Sequence, residues 1–304
     1  SHMSMTGSNA DHRVIVKPSE QGQAIAFLHG IITGSNGGSS LNDKAKAALT
    51  KAANQLKAAS GKSLVVSASN NVYEQVLVND INNVLDNYGK TLSIADASYQ
   101  RQGSERDLDA LVSEMNGGRV DALIVMGANP AYDFAKADAF VTGMAKVATK
   151  VAVSYQPNET NVLCDYVAPT NHFLESWGDV EAKKGQYSLV QPTITPLFST
   201  RQGEASLLTW SGSPAFNAKS EQPYLDFVKA YWKNNIFAEQ NSFAGFQGFW
   251  DNALHNGIVN IGGRSAEPSF NVDVSFAKSK VSKPGSSDLE VVFFETANLG
   301  NGQF

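Results

Sequence analysis

Cysteine is nearly absent. Cys164 is the only one in 304 residues, so the chain forms no internal disulfide and supplies no four-cysteine set for an iron–sulfur cluster. Charge is sparse too: Asp, Glu, Lys and Arg make up 17% of the residues and sum to −5. No Lys/Arg cluster interleaves with aromatics, which argues against nucleic acid as a partner. No apolar run approaches the ~18 residues of a membrane-crossing helix, so no direct membrane span is expected. The sequence shows no internal repeat, no G-x-S-x-G elbow and no Walker loop. His12, His29, His172 and His255 are scattered without metal-ligand spacing, and Cys164 has no second soft ligand near it. His29, inside an apolar helical pattern, reads as a hydrogen-bonded core residue.

What is present is an ordinary globular composition, 42% hydrophobic, with enough chain for a sizeable core and length for about two domains. Residues 14–155 alternate short apolar runs with helical patterns. Strands are expected at Val14–Val16, Ser63–Ser67, Thr91–Ala95, Ala122–Met126 and Lys150–Tyr155. Between them the spacing predicts helices from Ser19, from Asn42/Asp43, over Val72–Tyr88, Asp107–Met115 and Phe134–Val147. Such alternation implies an α/β fold, a mainly parallel sheet with helices on both faces. Gly34–Gly38 is glycine-rich but follows a helix, unlike a dinucleotide fingerprint.

After residue 160 the rhythm changes. Asp165–Ala168 is a short strand stopped by Pro169, residues 172–199 read as irregular or extended, and helices are expected at Gly203–Trp210, Pro223–Asn234 and Ala244–His255. Residues 262–287 have the composition of a loop or linker, and Leu289–Phe294 reads as a strand. The expected division is an α/β domain over 10–200 and a helical, irregular extension over 201–304. Ser1-His2-Met3 looks like a cloning remnant, and the chain reads as a fragment of a longer protein.

The segment that carries the functional reading is Asp121–Pro130, a strand running into Gly127-Ala128-Asn129-Pro130. A strand ending in such a turn puts backbone N–H groups and the Asn129 amide at the carboxyl edge of a sheet, where ligands of open α/β folds bind. Gly127 permits positive φ and Pro130 holds Asn129 extended. Contact with a nucleotide-like cofactor is one reading; a turn that simply needs these residues is the other. Glu159, Thr160, Asp165, Glu175, Asp179 and Glu181 form an acidic stretch beyond. It suits general acid–base work only if carboxylates are buried or paired, and helix capping accounts for Glu159-Thr160 equally. Phe243–Trp250 is either an exposed anchor for a partner or an aromatic cluster closing a helical layer.

In this order, the strand with Gly127-Ala128-Asn129-Pro130, then Glu159-Thr160, Asp165–Pro169, Glu175–Asp179, and Gly203-Glu204-Ala205 before Trp210 resemble the molybdopterin oxidoreductase superfamily over about Ser63–Trp210. The resemblance implies a Rossmann-like domain that helps clasp molybdopterin guanine dinucleotide, with Gly127, Asn129, Pro130, Glu159 and Thr160 at the dinucleotide edge. Three positions depart from the family. Ala168-Pro169 stands for Leu-Pro, Gly178-Asp179 for Gly-Thr, and Gly185-Gln186 for Gly-Arg, which removes a cation.

With the tail after Phe293, the departures are most similar to the molybdopterin-oxidoreductase-like iron–sulfur subunit of bacterial alternative complex III, a quinol:cytochrome c oxidoreductase. That resemblance implies a cofactor-free scaffold supporting electron transfer in a respiratory complex. It also implies haem and iron–sulfur partner subunits, clusters elsewhere in the parent, the periplasmic face of the inner membrane, and no catalysis by this segment alone. A catalytic molybdenum-enzyme fragment and a generic nucleotide-binding α/β module are the alternatives.

Overall fold

A computed structural model of the chain describes residues 3–35, 39–100, 102–261, 270–281 and 289–293. The chain divides into two compact units, Ser1–Ala97 with Arg264–Phe304, and Ser98–Gly263.

The first unit is helical among its described residues. It comprises α1 (Met5–Ser8), a 3-10 turn at Pro18–Glu20, α2 (Gln21–Thr33), α3 (Asp43–Ala58), α4 (Val72–Val84) and a further helix at Val274–Lys280. Asn42 and Asn71 cap α3 and α4 by accepting from the backbone N–H groups of Ala45 and of Tyr73 and Glu74, the arrangement that satisfies otherwise orphaned donors. Ile32, Ala53, Ile81 and Leu85 form its buried cluster, with Leu28, Ile31, Leu56 and Val65 packed on it. His29 is a core residue as expected, 4% exposed and bonded through Nε2 to Asp80 at 2.7 Å, so α2 and α4 are also tied by a polar contact.

The strands expected at Val14–Val16, Ser63–Ser67 and Thr91–Ala95 do not form. Val65 shows why. Its N–H donates to Asn82 Oδ1 at 3.0 Å and its carbonyl accepts from Asn82 Nδ2 at 2.7 Å. One buried side-chain amide on α4 thus takes both backbone groups that a ladder neighbour needs. Thr91 lends its hydroxyl to the Ser63 carbonyl at 2.5 Å, and a single parallel bridge, Tyr88 to Leu92, is all the β-pairing near 91–95. The expected linker at 262–287 holds the helix Val274–Lys280, started by Asp273, whose carboxylate accepts from Phe276 N–H; residues 262–269 and 282–288 lie outside the described residues. Leu289–Phe293 forms no strand, and Phe294 is outside the described residues.

The second unit is α/β. Ser104 caps α5 (Glu105–Asn116), and β1 (Ala122–Met126) follows. A short α6 (Pro130–Asp133) and α7 (Ala137–Met144) lead to β2 (Thr149–Ser154), and β3 comes at Tyr166–Pro169. The three strands are parallel in the order β1-β2-β3, with Met126 opposite Val153 and Ser154 opposite Pro169. Leu123 and Val125 turn one face of β1 onto Val112 and Met115 of α5 and Phe140 and Met144 of α7. Ile124 on the other face is 49% exposed.

Residues 172–199 are more regular than expected. β4 (Gly178–Lys183) and β5 (Gln186–Val190) make an antiparallel hairpin, joined on the far side by β6 (Ile258–Asn260). Charged outward positions and a register shift between Glu181 and Lys183 blur the alternation by which a hairpin is recognised. The helices α8 (Gly203–Trp210), α9 (Pro223–Tyr231) and α10 (Phe246–Asn256) lie close to their expected places, and α9 runs into a π-helical turn at Trp232–Ile236. Phe249 and Trp250 are buried with Trp232, Ile236, Val228 and Leu189, so the aromatic run closes a core rather than standing out as an anchor. Trp232 is fully buried, worth about 3 kcal/mol in apolar burial, and its indole N–H donates to Asp179 Oδ2 at 2.8 Å.

Candidate functional site at the carboxyl edge of the parallel sheet

β1, β2 and β3 all end on one edge, and Gly127, Asn129, Pro130, Glu159 and Thr160 meet there. Gly127 follows β1 with φ +61, and a Cβ built on it meets nothing within 4 Å. Glycine is required there by the backbone conformation and not by crowding. Asn129 then precedes α6, whose first residue is Pro130. Across the edge, the β2–β3 connection delivers Glu159 and Thr160.

These residues bond to one another. Asn129 Nδ2 donates to Glu159 Oε2 at 2.6 Å. Asn129 Oδ1 accepts from the Thr160 backbone N–H at 3.1 Å and from the Thr160 hydroxyl at 2.8 Å. The Thr160 hydroxyl, on a fully buried residue, in turn accepts from Ala131 N–H at 3.0 Å. Asn158 supports the loop by accepting from the N–H groups of Thr160 and Asn161. The turn after β1 and the loop after β2 are thereby latched through one amide and one hydroxyl.

Glu159 is exposed, and the Asn129 side-chain bond, aided by a backbone N–H, holds its carboxyl below the usual range. A negative charge stands at this edge at neutral pH. The Asn129 oxygen is taken by Thr160 and one of its two N–H donors by Glu159, so a single side-chain N–H of this latch remains for a diphosphate. The backbone N–H groups of Ala128 and Asn129 are the ones at the turn without a partner among the described residues. On charge and donor supply, the side chains here fit a dinucleotide diphosphate poorly.

The remaining carboxylates of the acidic stretch are dispersed, each on its own donor. Asp165 accepts from the Lys150 backbone N–H and side chain at 2.8 and 3.0 Å; both hydrogen bonds depress its pKa. Glu175 accepts from the N–H groups of His172 and Leu197, which lowers its pKa. Glu181 accepts from Gly185 N–H. The geometry therefore contains no carboxylate pair of the kind that tunes a general acid or base among these residues. Gln186 sits in β5 and donates to Asn260 Oδ1 at 3.0 Å. Among the described residues no three His, Cys, Asp or Glu side chains come together as a metal-ligand set.

A feature that the sequence did not single out lies beyond the end of β3. The N-terminus of α8 approaches the sheet so closely that a Cβ on Gly203 would stand 2.8 Å from Met126 Cε and 2.9 Å from Val153 Cγ1. Next to it a cavity of about 600 Å³ is lined by residues from Asn171 to Leu225. Glu175, Trp177 and Ala205 among them belong to motifs read from the sequence, but the cavity itself is not legible there, because its lining comes from segments spaced along the chain.

No family model matches the chain. The molybdopterin-binding-like subunit of menaquinone reductase from Nitratidesulfovibrio vulgaris is 34% identical over 115 residues, which is 36% of this chain. The match covers 17% of that protein's length. The likeness ties part of the chain, coarsely, to proteins related to molybdopterin oxidoreductases. No helix among the described residues is long and apolar enough to cross a membrane.

Proposed function

We propose that the chain is a cofactor-free scaffold region of a respiratory quinol-oxidising complex, of the alternative complex III iron–sulfur subunit type. In this reading a Rossmann-like, molybdopterin-oxidoreductase-like region over 10–200 with an extension over 201–304 positions haem and iron–sulfur partner subunits. It does so at the periplasmic face of the inner membrane, and the clusters belong to other parts of the parent.

The observation that carries the proposal is the latch. An Asn129 amide that held a dinucleotide would face the ligand; here its oxygen and one N–H are closed on Thr160 and Glu159, with a carboxylate beside it. Gly127, Asn129, Pro130, Glu159 and Thr160 are on this reading the remains of a pterin-dinucleotide edge. The similarity to a subunit whose own name says molybdopterin-binding-like, within a menaquinone reductase, supports the same reading.

The test is made on the natural parent protein, purified without chelators. Metal analysis and pterin extraction are expected to give no molybdenum and no fluorescent pterin derivative. Molybdenum near one equivalent per chain, with a pterin dinucleotide, overturns the proposal in favour of a catalytic molybdenum enzyme. A thermal shift of this chain with GDP, NAD or flavin, since a ligand of the native state must raise stability, overturns it in favour of a nucleotide-binding module.

A further inference from the structure

The cavity beyond β3 is built differently from the latch. Its position is set by the sheet: Thr170 N–H donates to the Ser154 carbonyl, and Arg201 N–H to the Pro169 carbonyl, so Asn171 and Arg201 lie side by side past the carboxyl ends of β2 and β3. This is the edge at which open α/β sheets bind small molecules. The volume of about 600 Å³ falls in the range of single-ligand pockets. Trp177, Pro196, Phe216, Pro223 and Tyr224 supply flat apolar and aromatic walls.

Its polar groups are lopsided. The acceptors are largely committed: both Glu175 oxygens hold backbone N–H groups, and Asn171 Oδ1 accepts from the Thr200 hydroxyl at 2.6 Å. Donors are left over. Arg201 uses Nε on Ser206 Oγ at 2.8 Å, while its two terminal nitrogens meet no carboxylate within 4 Å among the described residues. Asn171 Nδ2, the Trp177 indole N–H and the Tyr224 hydroxyl likewise have no hydrogen-bond partner among the described residues. Burial, with Glu204 and Asp179 adding to it, pushes the Tyr224 phenol up to about 12, so it stays a donor across the working pH range. Glu221, exposed at the rim, Gln202 Oε1, the Gln222 amide oxygen and the Thr195 hydroxyl are the acceptors beside these donors.

We infer that this cavity binds a planar aromatic molecule bearing an sp² oxygen acceptor, a carboxylate or a ring-attached carbonyl, with the ring between the aromatic and proline walls and the oxygen on Arg201 and Asn171. The Arg201 fork, lacking a carboxylate of its own, supplies two parallel N–H donors to such an oxygen pair. Glu204 accepts from Gln202 Nε2 at 3.1 Å through one oxygen and makes no ion pair with Arg201 among the described residues. The inference does not depend on whether the latch edge is vestigial.

The test uses the ¹⁵N-labelled 304-residue chain with three probes of one size: 2-naphthoate, 2-acetylnaphthalene and 2-ethylnaphthalene. The Trp177 indole resonance is assigned by its loss in Trp177→Phe. Naphthoate or the ketone is expected to shift that resonance saturably, with the oxygen-free probe at least tenfold weaker. Tighter binding of naphthoate identifies free aromatic acids as the source class, and tighter binding of the ketone identifies ring carbonyls; either supports the inference. Arg201→Met is expected to weaken the preferred probe about tenfold. Arg201→Lys, which keeps the charge and loses the fork, gives an intermediate loss and serves if the first variant does not fold. No shift with any probe at millimolar concentration, equal binding of the hydrocarbon, or wild-type affinity in both Arg201 variants overturns the inference.

Discussion

Removing the Asn129 amide puts the latch to a quantitative test. Asn129→Ala takes away the acceptor of the Thr160 hydroxyl and one of two acceptors of the Thr160 N–H; the other, Asn158 Oδ1 at 3.1 Å, stays. Thr160 is fully buried, so its hydroxyl proton is left without a partner where water does not reach. An unsatisfied buried donor costs roughly 1–3 kcal/mol, and about 2 kcal/mol is expected for this variant. The exposed bond to Glu159 adds nothing to that figure. Thr160→Val keeps the shape and orphans Ala131 N–H, for about 2 kcal/mol again.

Because the two single changes break the same 2.8 Å bond, the double variant is expected to fall short of additivity by about 1 kcal/mol. Urea unfolding followed by tryptophan fluorescence reads this directly, since Trp177, Trp210, Trp232 and Trp250 all belong to the unit Ser98–Gly263 that holds the latch. The midpoint should move with an unchanged slope. A loss under about 0.3 kcal/mol in Asn129→Ala, or strict additivity in the double variant, refutes the reasoning and returns the amide to the ligand-facing role first read from the sequence.

Two further outcomes follow from the same accounting. Asn82→Asp replaces the N–H₂ that serves the Val65 and Val78 carbonyls with an oxygen facing both; a loss of about 3 kcal/mol is expected at neutral pH. Burial raises the new carboxyl's folded pKa, so that loss should shrink as pH falls below it, and a pH-independent thermal midpoint difference would count against the side-chain ladder. Asp165 has the opposite sign: Lys150 depresses its folded pKa, so its contribution is present above the unfolded pKa and disappears as pH falls through the folded one. Asp165→Asn should therefore flatten the acid side of the thermal-midpoint profile, and an unchanged acid slope disproves the linkage.

Elements with a local cause are legible along the chain. Gly203–Trp210 is a helix with the expected bounds, β1 occupies Ala122–Met126 and turns at Gly127 as read, and His29 is buried as its apolar helical setting implies. Periodicity and turn chemistry act over a few residues, so they are visible without partners. Which apolar runs become strands depends on what each meets in three dimensions. Val65 and Val125 sit in similar runs, yet Val125 lies in a strand paired with β2 and Val65 finds the Asn82 amide, seventeen residues along the chain. The site divides in the same way. That Gly127 and Asn129 stand at the carboxyl edge follows from the order of strand and turn, whereas Glu159 and Thr160 are set beside them only by the family resemblance. The closing of that amide on its own chain, and the opening of a donor-rich cavity between Asn171 and Leu225, rest on distances that no linear pattern encodes.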